Sequence, residues 1–394
     1  MRAAIVFSAL VLALLTGCQP QNKLPATVTA VTPDGWTISV AHYAPERIDK
    51  DRLPVILCHG LSYNGVFWDL APEVSLARYL QQAGYDVWVP SLRGAGWSTK
   101  PPLSRLRQLF RGDLYTAGGV FTSGGRGALK INWTVDDHAA LDVPTVLELV
   151  TRATGCKQAH WIGHSMGGMV MVAYLHANPS DPRVASFVAV AVPVFVTPPL
   201  SKPMEQMAKG RGAFEISNAV VSTNLPAILG QIGGTNLPTP IDVLFYSRAN
   251  VTDDTIRRLN AFATEDISPG QLAQLIDMVS GGKFTSADGK TDYTDNLERI
   301  QTPALFVAGT VDNLATVDAV KTLHNRWGSP QKQFALYGVV NGQSIDYGHD
   351  DLVIGKKSRQ DVYPDIRRWL ESRGPQKSFL PPLPNLLPTS RPKQ

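Results

Sequence analysis

Cysteine is scarce here, with three in 394 residues. No disulfide framework of the kind that holds small secreted folds together is available. The charges nearly cancel. Thirty-seven basic against thirty-three acidic residues leave a formal net charge of +4. They are spread along the chain with no basic run, so nucleic acid is not expected as a partner. Beyond the first 17 residues no apolar stretch is long enough to span a bilayer. There is no internal repeat, which excludes solenoids and propellers. Cys58 and Cys156 fall next to different apolar strand patterns. If those strands run parallel, the two thiols lie at opposite ends of the sheet, beyond disulfide reach. Both are expected unpaired, and no metal site is expected. What remains is a chain long enough for one large domain with an insertion.

The start of the chain is not part of that domain. A positive first pair, Met1 and Arg2, precedes an apolar core at 3–15 and the run Leu15-Thr16-Gly17-Cys18. This resembles the lipobox of bacterial lipoproteins. The resemblance implies that residues 1–17 are a signal peptide and that Cys18 is the lipidation site, with 18–26 as anchor and linker. A multi-acyl anchor holds a protein firmly at a membrane. The expected place is the bacterial cell envelope, and Gln19 after the cysteine favours the outer membrane or periplasmic side.

Strand-like and helix-like patterns then alternate. Residues 27–31 and 37–41 flank Pro33-Asp34-Gly35 as a hairpin. Apolar strands are expected at 53–58, 85–89, 159–162, 184–192, 304–308 and 333–337. Helices are expected at 76–82, at 135–154 with a kink at Pro144, at 317–327 and at 360–371. Such alternation argues a mostly parallel sheet with helices on both faces. The rhythm fails over 193–296, where short amphipathic pieces such as 254–262 and 271–279 suggest a mainly helical cap. The core is therefore expected in two parts, 27–192 and 297–373, followed by a proline-rich tail at 374–394. The segment 100–130 lacks periodicity and reads as a long loop.

The most informative motif is Gly163-His164-Ser165-Met166-Gly167, set between a strand pattern and a helix pattern. That context is what a nucleophile elbow requires. A serine on so sharp a turn sits in strained backbone, and glycines let strand and helix approach closely. A serine hydroxyl needs a base, and the base needs an orienting acid. Asp312 follows the strand at 304–308, and His349 lies between the last strand and the last helix, so the order is Ser, acid, His. His138, His160, His176 and His324 lie on strand or helix patterns and read as structural. Asp346, Asp350 and Asp351 are rival acids, each too close in sequence to His349 to support its ring easily. An oxyanion hole is expected from the amides of Met166 and Leu61, with Gly60 allowing the loop to turn its N–H inward. His59 is expected to tie that loop down.

These residues together resemble the α/β-hydrolase superfamily. Within it, Ser75-Leu76-Ala77, the stretch from Gly84 to Trp88, Arg93-Gly94, Trp97-Ser98, Trp133, Asp142-Val143-Pro144 and His349-Asp350-Asp351 resemble the acid lipase and steryl-ester hydrolase family. One departure is Met166, where that family usually has Gln. A weaker likeness, around 75–88, is to polyhydroxyalkanoate synthases, which use a cysteine nucleophile. The resemblance implies an eight-stranded α/β-hydrolase fold. It also implies a serine hydrolase acting on acyl-ester or lipid substrates, with no cofactor. An acyltransferase, peptidase or perhydrolase on the same triad is the alternative, and a non-catalytic surface-binding lipoprotein is a further one.

Overall fold

A computed structural model describes residues 25–49, 51–100, 132–196 and 242–374. The expectations for Cys18, the signal segment, most of the 100–130 loop, 197–241 and all but the first residue of the tail lie outside the described residues.

Among the described residues eight strands form one sheet in the order β1-β2-β4-β3-β5-β6-β7-β8. The strands are β1 (Ala26–Val31), β2 (Thr37–Tyr43), β3 (Val55–Cys58), β4 (Val87–Ser91), β5 (Ala159–His164), β6 (Val184–Val190), β7 (Ala304–Gly309) and β8 (Lys332–Tyr337). The Pro33-Asp34-Gly35 turn makes the expected hairpin, with Gly35 at φ 87° and its N–H on the Thr32 carbonyl. β1 pairs antiparallel with β2, and β2 antiparallel with β4. Every pairing from β4 through β8 is parallel. β3, β4, β5 and β7 are buried at every residue. Since alternate side chains point to opposite faces, both faces of the sheet are covered. The fold is that of the α/β hydrolases.

The main helices are α1 (Leu76–Gln82), α2 (Val143–Thr154), α3 (Met166–Ala177), α4 (Pro269–Gly281), α5 (Val317–Arg326) and α6 (Tyr363–Glu371). Several boundaries differ from the sequence pattern for local reasons. Tyr85 belongs to the end of α1, where its N–H caps the Leu80 carbonyl after Gly84 turns at φ 88°, so β4 starts two residues later. The expected helix at 135–154 has no break at Pro144. A π-helical turn, His138–Asp142, precedes it instead, and this wider turn absorbs the proline's missing N–H. The expected last helix is two pieces, Ser358–Asp361 and α6, because Pro364 cannot continue a helix begun upstream.

Cys58 and Cys156 are both free. Cys58 lies beside Gly163 at the carboxyl end of the parallel strands, and Cys156 precedes β5 at the other end. Between β6 and β7 the described insertion residues include the helix Asp253–Arg258, a π-helical turn Leu259–Ala263 and α4. No helix among the described residues is long and apolar enough to cross a membrane.

Candidate functional site

Four loops meet at the carboxyl edge of the sheet, where ligands gather in open α/β folds. The first is the turn from β5 to α3. Ser165 has φ 51° and ψ −120°, a left-handed backbone rare for serine. Its amide donates to the Val190 carbonyl at 2.9 Å, and its carbonyl accepts the first helical N–H groups, from Gly168 and Met169. The flanking glycines are required by space. A Cβ on Gly163 would lie 2.3 Å from the Gly167 carbonyl oxygen, and one on Gly167 would lie 2.3 Å from that of Cys58. Ser165 is half-buried while its neighbours His164 and Met166 are buried.

The second loop follows β3. A Cβ on Gly60 would lie 3.3 Å from the Ser165 Cβ, so the loop packs directly on the elbow. The left-handed turn falls on Ser62, at φ 58°, and not on Gly60. The glycine is therefore needed for close approach, and Ser62 carries the backbone strain. His59 does tie the loop down. Its Nδ1–H donates to the Gly60 carbonyl at 2.9 Å, and its Nε2 accepts the Leu92 amide at 3.1 Å. Burial pulls its pKa to about 4, so it is neutral near pH 7.

The third and fourth loops supply Asp312 and His349. Asp312 Oδ1 accepts the amides of Leu314 and Ala315, both at 2.8 Å. Its Oδ2 accepts His349 Nδ1–H at 2.9 Å. Asp312 is thus a turn former and the imidazole's partner at once. The Val311 amide bonds the Tyr347 carbonyl at 2.9 Å, joining the acid and base loops. Burial draws the His349 pKa down, but the carboxylates of Asp312, Asp350 and Asp351 outweigh it and leave it above the ordinary value. Asp346 is turned away, bonded to Thr310 Oγ1 and the Val339 amide. Asp351 accepts Gly348 and Ser247 amides and Asn250 Nδ2, clamping the base loop to the insertion.

Several contacts of the site escaped sequence reasoning, and two of the residues that make them, Tyr63 and Gln271, were not singled out at all. Tyr63 donates its hydroxyl to Asp350 Oδ2 at 2.6 Å. His164 Nε2–H donates to the His349 carbonyl at 3.1 Å, and its ring stacks on Phe67. Gln271, on α4, sends one amide hydrogen to His138 Nε2 and the other to Met166 Sδ. His138 in turn donates to Asp142, which pairs with the fully buried Arg93 side chain, and Arg93 reaches Asp34. A continuous polar chain therefore runs from the β1–β2 turn under the elbow to Met166. Only His164, inside the elbow motif, carried a local signal. One trio of potential metal ligands occurs among the described residues, namely His164, His349 and Asp350. One nitrogen of each imidazole is engaged as above.

Comparison with known proteins agrees with this fold. A family profile described as alpha/beta hydrolase fold matches residues 54–212. Triacylglycerol lipase 1 of Arabidopsis thaliana is 25% identical over 93% of this chain and 95% of its own. Human gastric triacylglycerol lipase is 30% identical over 41% of this chain, a match spanning only 37% of that lipase's length. A thermophilic esterase from Thermogutta terrifontis superposes with a TM-score of 0.54 at 18% identity, covering 88% of this chain and 98% of that one. The chain has the α/β-hydrolase fold, and in sequence it is similar to the acid lipases.

Proposed function

We propose that this chain is a carboxylic ester hydrolase of the lipase and esterase class, with Ser165 as nucleophile, His349 as base and Asp312 as orienting acid. The observation that carries the reading is the His349–Asp312 hydrogen bond at 2.9 Å on loops that converge on the strained Ser165 turn. With Nδ1–H held by Asp312, the free His349 Nε2 has the lone pair needed to take the Ser165 proton. Ser165 Oγ attacks the ester carbonyl. Negative charge develops on the carbonyl oxygen and meets the amides of Met166 and Leu61, a reading supported by the close packing of Gly60 on Ser165. His349 then protonates the leaving alkoxide, and water repeats the sequence to release the acid. No step calls for a cofactor.

Likeness to lipases supports a lipid or other acyl ester as substrate. Residues 193–296 are read as the cap that forms the acyl site, and Cys18 as a lipid anchor in the bacterial envelope. The test is turnover of nitrophenyl esters of graded acyl length by wild type and Ser165→Ala. The variant should lose turnover and labelling by a fluorophosphonate. Retained turnover would overturn the assignment, and a steep preference for short chains would exclude the lipase reading and leave an esterase. Incorporation of labelled palmitate, lost in Cys18→Ala, tests the anchor.

A further inference from the structure

We propose that Asp350 is a positioning residue for the catalytic base, a second carboxylate that joins the oxyanion loop to the base loop through Tyr63 and supports the His349 imidazolium when it carries charge. This rests on the ester hydrolase reading above.

Asp350 follows His349 directly and is fully buried. Its amide is pinned to the Phe245 carbonyl at 2.6 Å, and its carbonyl accepts the amides of Val353 and Ile354. The backbone at Asp350 is therefore held in place. Oδ2 takes the Tyr63 hydroxyl at 2.6 Å, a contact between residues 287 apart in sequence. Tyr63 lies two residues beyond Leu61, and its own amide bonds the Gly60 carbonyl. Any movement of Asp350 is thereby transmitted to the loop that carries the proposed oxyanion donor.

The other oxygen is different. Oδ1 of Asp350 is buried and has no hydrogen-bond partner, and His164 Nε2 lies 3.6 Å away. That separation is too long for a hydrogen bond, and burial pulls the His164 pKa well below the ordinary value, so its ring offers Asp350 no charge. One carboxylate oxygen of Asp350 and one ring nitrogen each of His164 and His349 lie within 4.8 Å of one another. The ionisable groups facing Asp350 come from every loop of the site. They are Tyr63 from the oxyanion loop, His164 from β5, Asp312 from the acid loop, and His349 and Asp351 beside it.

Asp312 and Asp350 divide the work unequally. Asp312 accepts two backbone amides and the imidazole, so its charge is well solvated by the protein. Asp350 has Tyr63 alone. Burial, reinforced by Asp351 and Asp312 and opposed by His349 and Tyr63, pushes its carboxyl up to about 7. Its charge therefore appears near neutrality, where the base also has to lose its proton. When His349 takes the proton of Ser165, an ionised Asp350 stabilises the resulting cation and a protonated one does not. The two groups then titrate as a coupled pair.

The test is an imidazole titration of the full chain by nitrogen NMR, with His349 assigned from His349→Gln, run beside the pH dependence of kcat/KM on a nitrophenyl ester. Wild type should show two coupled steps. Asp350→Asn keeps an acceptor for Tyr63 and should show one step for His349, lowered by about one pH unit or more. Tyr63→Phe removes the donor that favours the carboxylate, so it should keep both steps and move the Asp350 step upward. An unshifted His349 midpoint in Asp350→Asn would overturn the proposal, whatever the turnover. A structural role alone would lower turnover without moving the midpoint. The titration needs no substrate. A shifted midpoint in a protein that hydrolyses no ester would count against the ester hydrolase reading and not against Asp350.

Discussion

Asp312→Asn should disable the enzyme without unfolding it, because the site dictates how the new amide sits. Leu314 and Ala315 both present N–H groups to Oδ1 at 2.8 Å. Only an oxygen can accept them, so the asparagine carbonyl occupies that place and its NH2 faces His349 Nδ1. The imidazole must then accept at Nδ1 and carry its proton on Nε2, where it cannot take the proton of Ser165. The lost charge adds to this. A unit charge about 4 Å from the imidazolium at an effective dielectric near 20 contributes about 4 kcal/mol, or about a thousandfold in rate. With the tautomer reversed as well, kcat should fall by about 10³–10⁴-fold. The fold is expected to keep its stability, since both backbone donors stay satisfied. Asp312→Ala, by contrast, strands them at a cost of about 1–3 kcal/mol each. The assays are kcat on a short-chain nitrophenyl ester, thermal melting of both variants, and the nitrogen chemical shifts that report the imidazole tautomer. Turnover of Asp312→Asn within about tenfold of wild type would refute the reasoning and return the rival carboxylates to contention.

Two further outcomes follow from buried charges. Asp142→Ala leaves the fully buried Arg93 guanidinium with Asp34 alone and removes the acceptor of His138. Urea denaturation should show a loss of about 3–5 kcal/mol, and a loss below about 1 kcal/mol would mean that the polar chain under the elbow is not a structural support. His160 is buried on β5 against Ser186, and burial depresses its pKa from 6.5 to about 3. The unfolded chain therefore binds a proton that the native state refuses, and stability falls as pH drops below 6.5. About 2 kcal/mol should disappear between pH 7 and pH 5 on this account, and His160→Asn should flatten that slope in denaturant titrations. An equal slope in the variant would remove His160 as the cause.

The parts of the site that could be read from the chain are those written locally. The elbow is five consecutive residues whose glycines answer contacts made within the motif and with the adjacent strand end. Asp312 and His349 were singled out from their places after strands, because the order of elements decides which loops reach the carboxyl edge, and the structure brings the two side chains together. Strand identities survived for the same reason, since buried parallel strands are nearly continuous apolar runs. What was missed is written in pairs of distant residues. Tyr63 with Asp350, and Gln271 with Met166, are separated by 287 and 105 positions, and Tyr63 and Gln271 carry no pattern by themselves. Gly60 was assigned to the right place for the wrong property. Periodicity and motif spacing suggest where a chain turns, but whether a glycine serves torsion or space depends on what packs against it.

The insertion between β6 and β7 is sewn to three of the four loops of the candidate site, each by a different thread. The Ala263 carbonyl and the Glu265 amide hold the Asn64 amide and the Ser62 carbonyl of the oxyanion loop. Ser247 and Asn250 hold Asp351 beside the base, and Gln271 holds Met166 beside the nucleophile. For anyone recombining this chain with a relative, residues 242–282 are therefore not a free cassette. A transplant that changes acyl preference has to carry Ser62, Asn64, Met166 and Asp351 with it, or the borrowed segment will arrive with its seams unmatched. Inheritance meets the same constraint. Changes in the insertion and in these four positions are expected to travel together, so substrate range in such a chain would drift in blocks and not residue by residue.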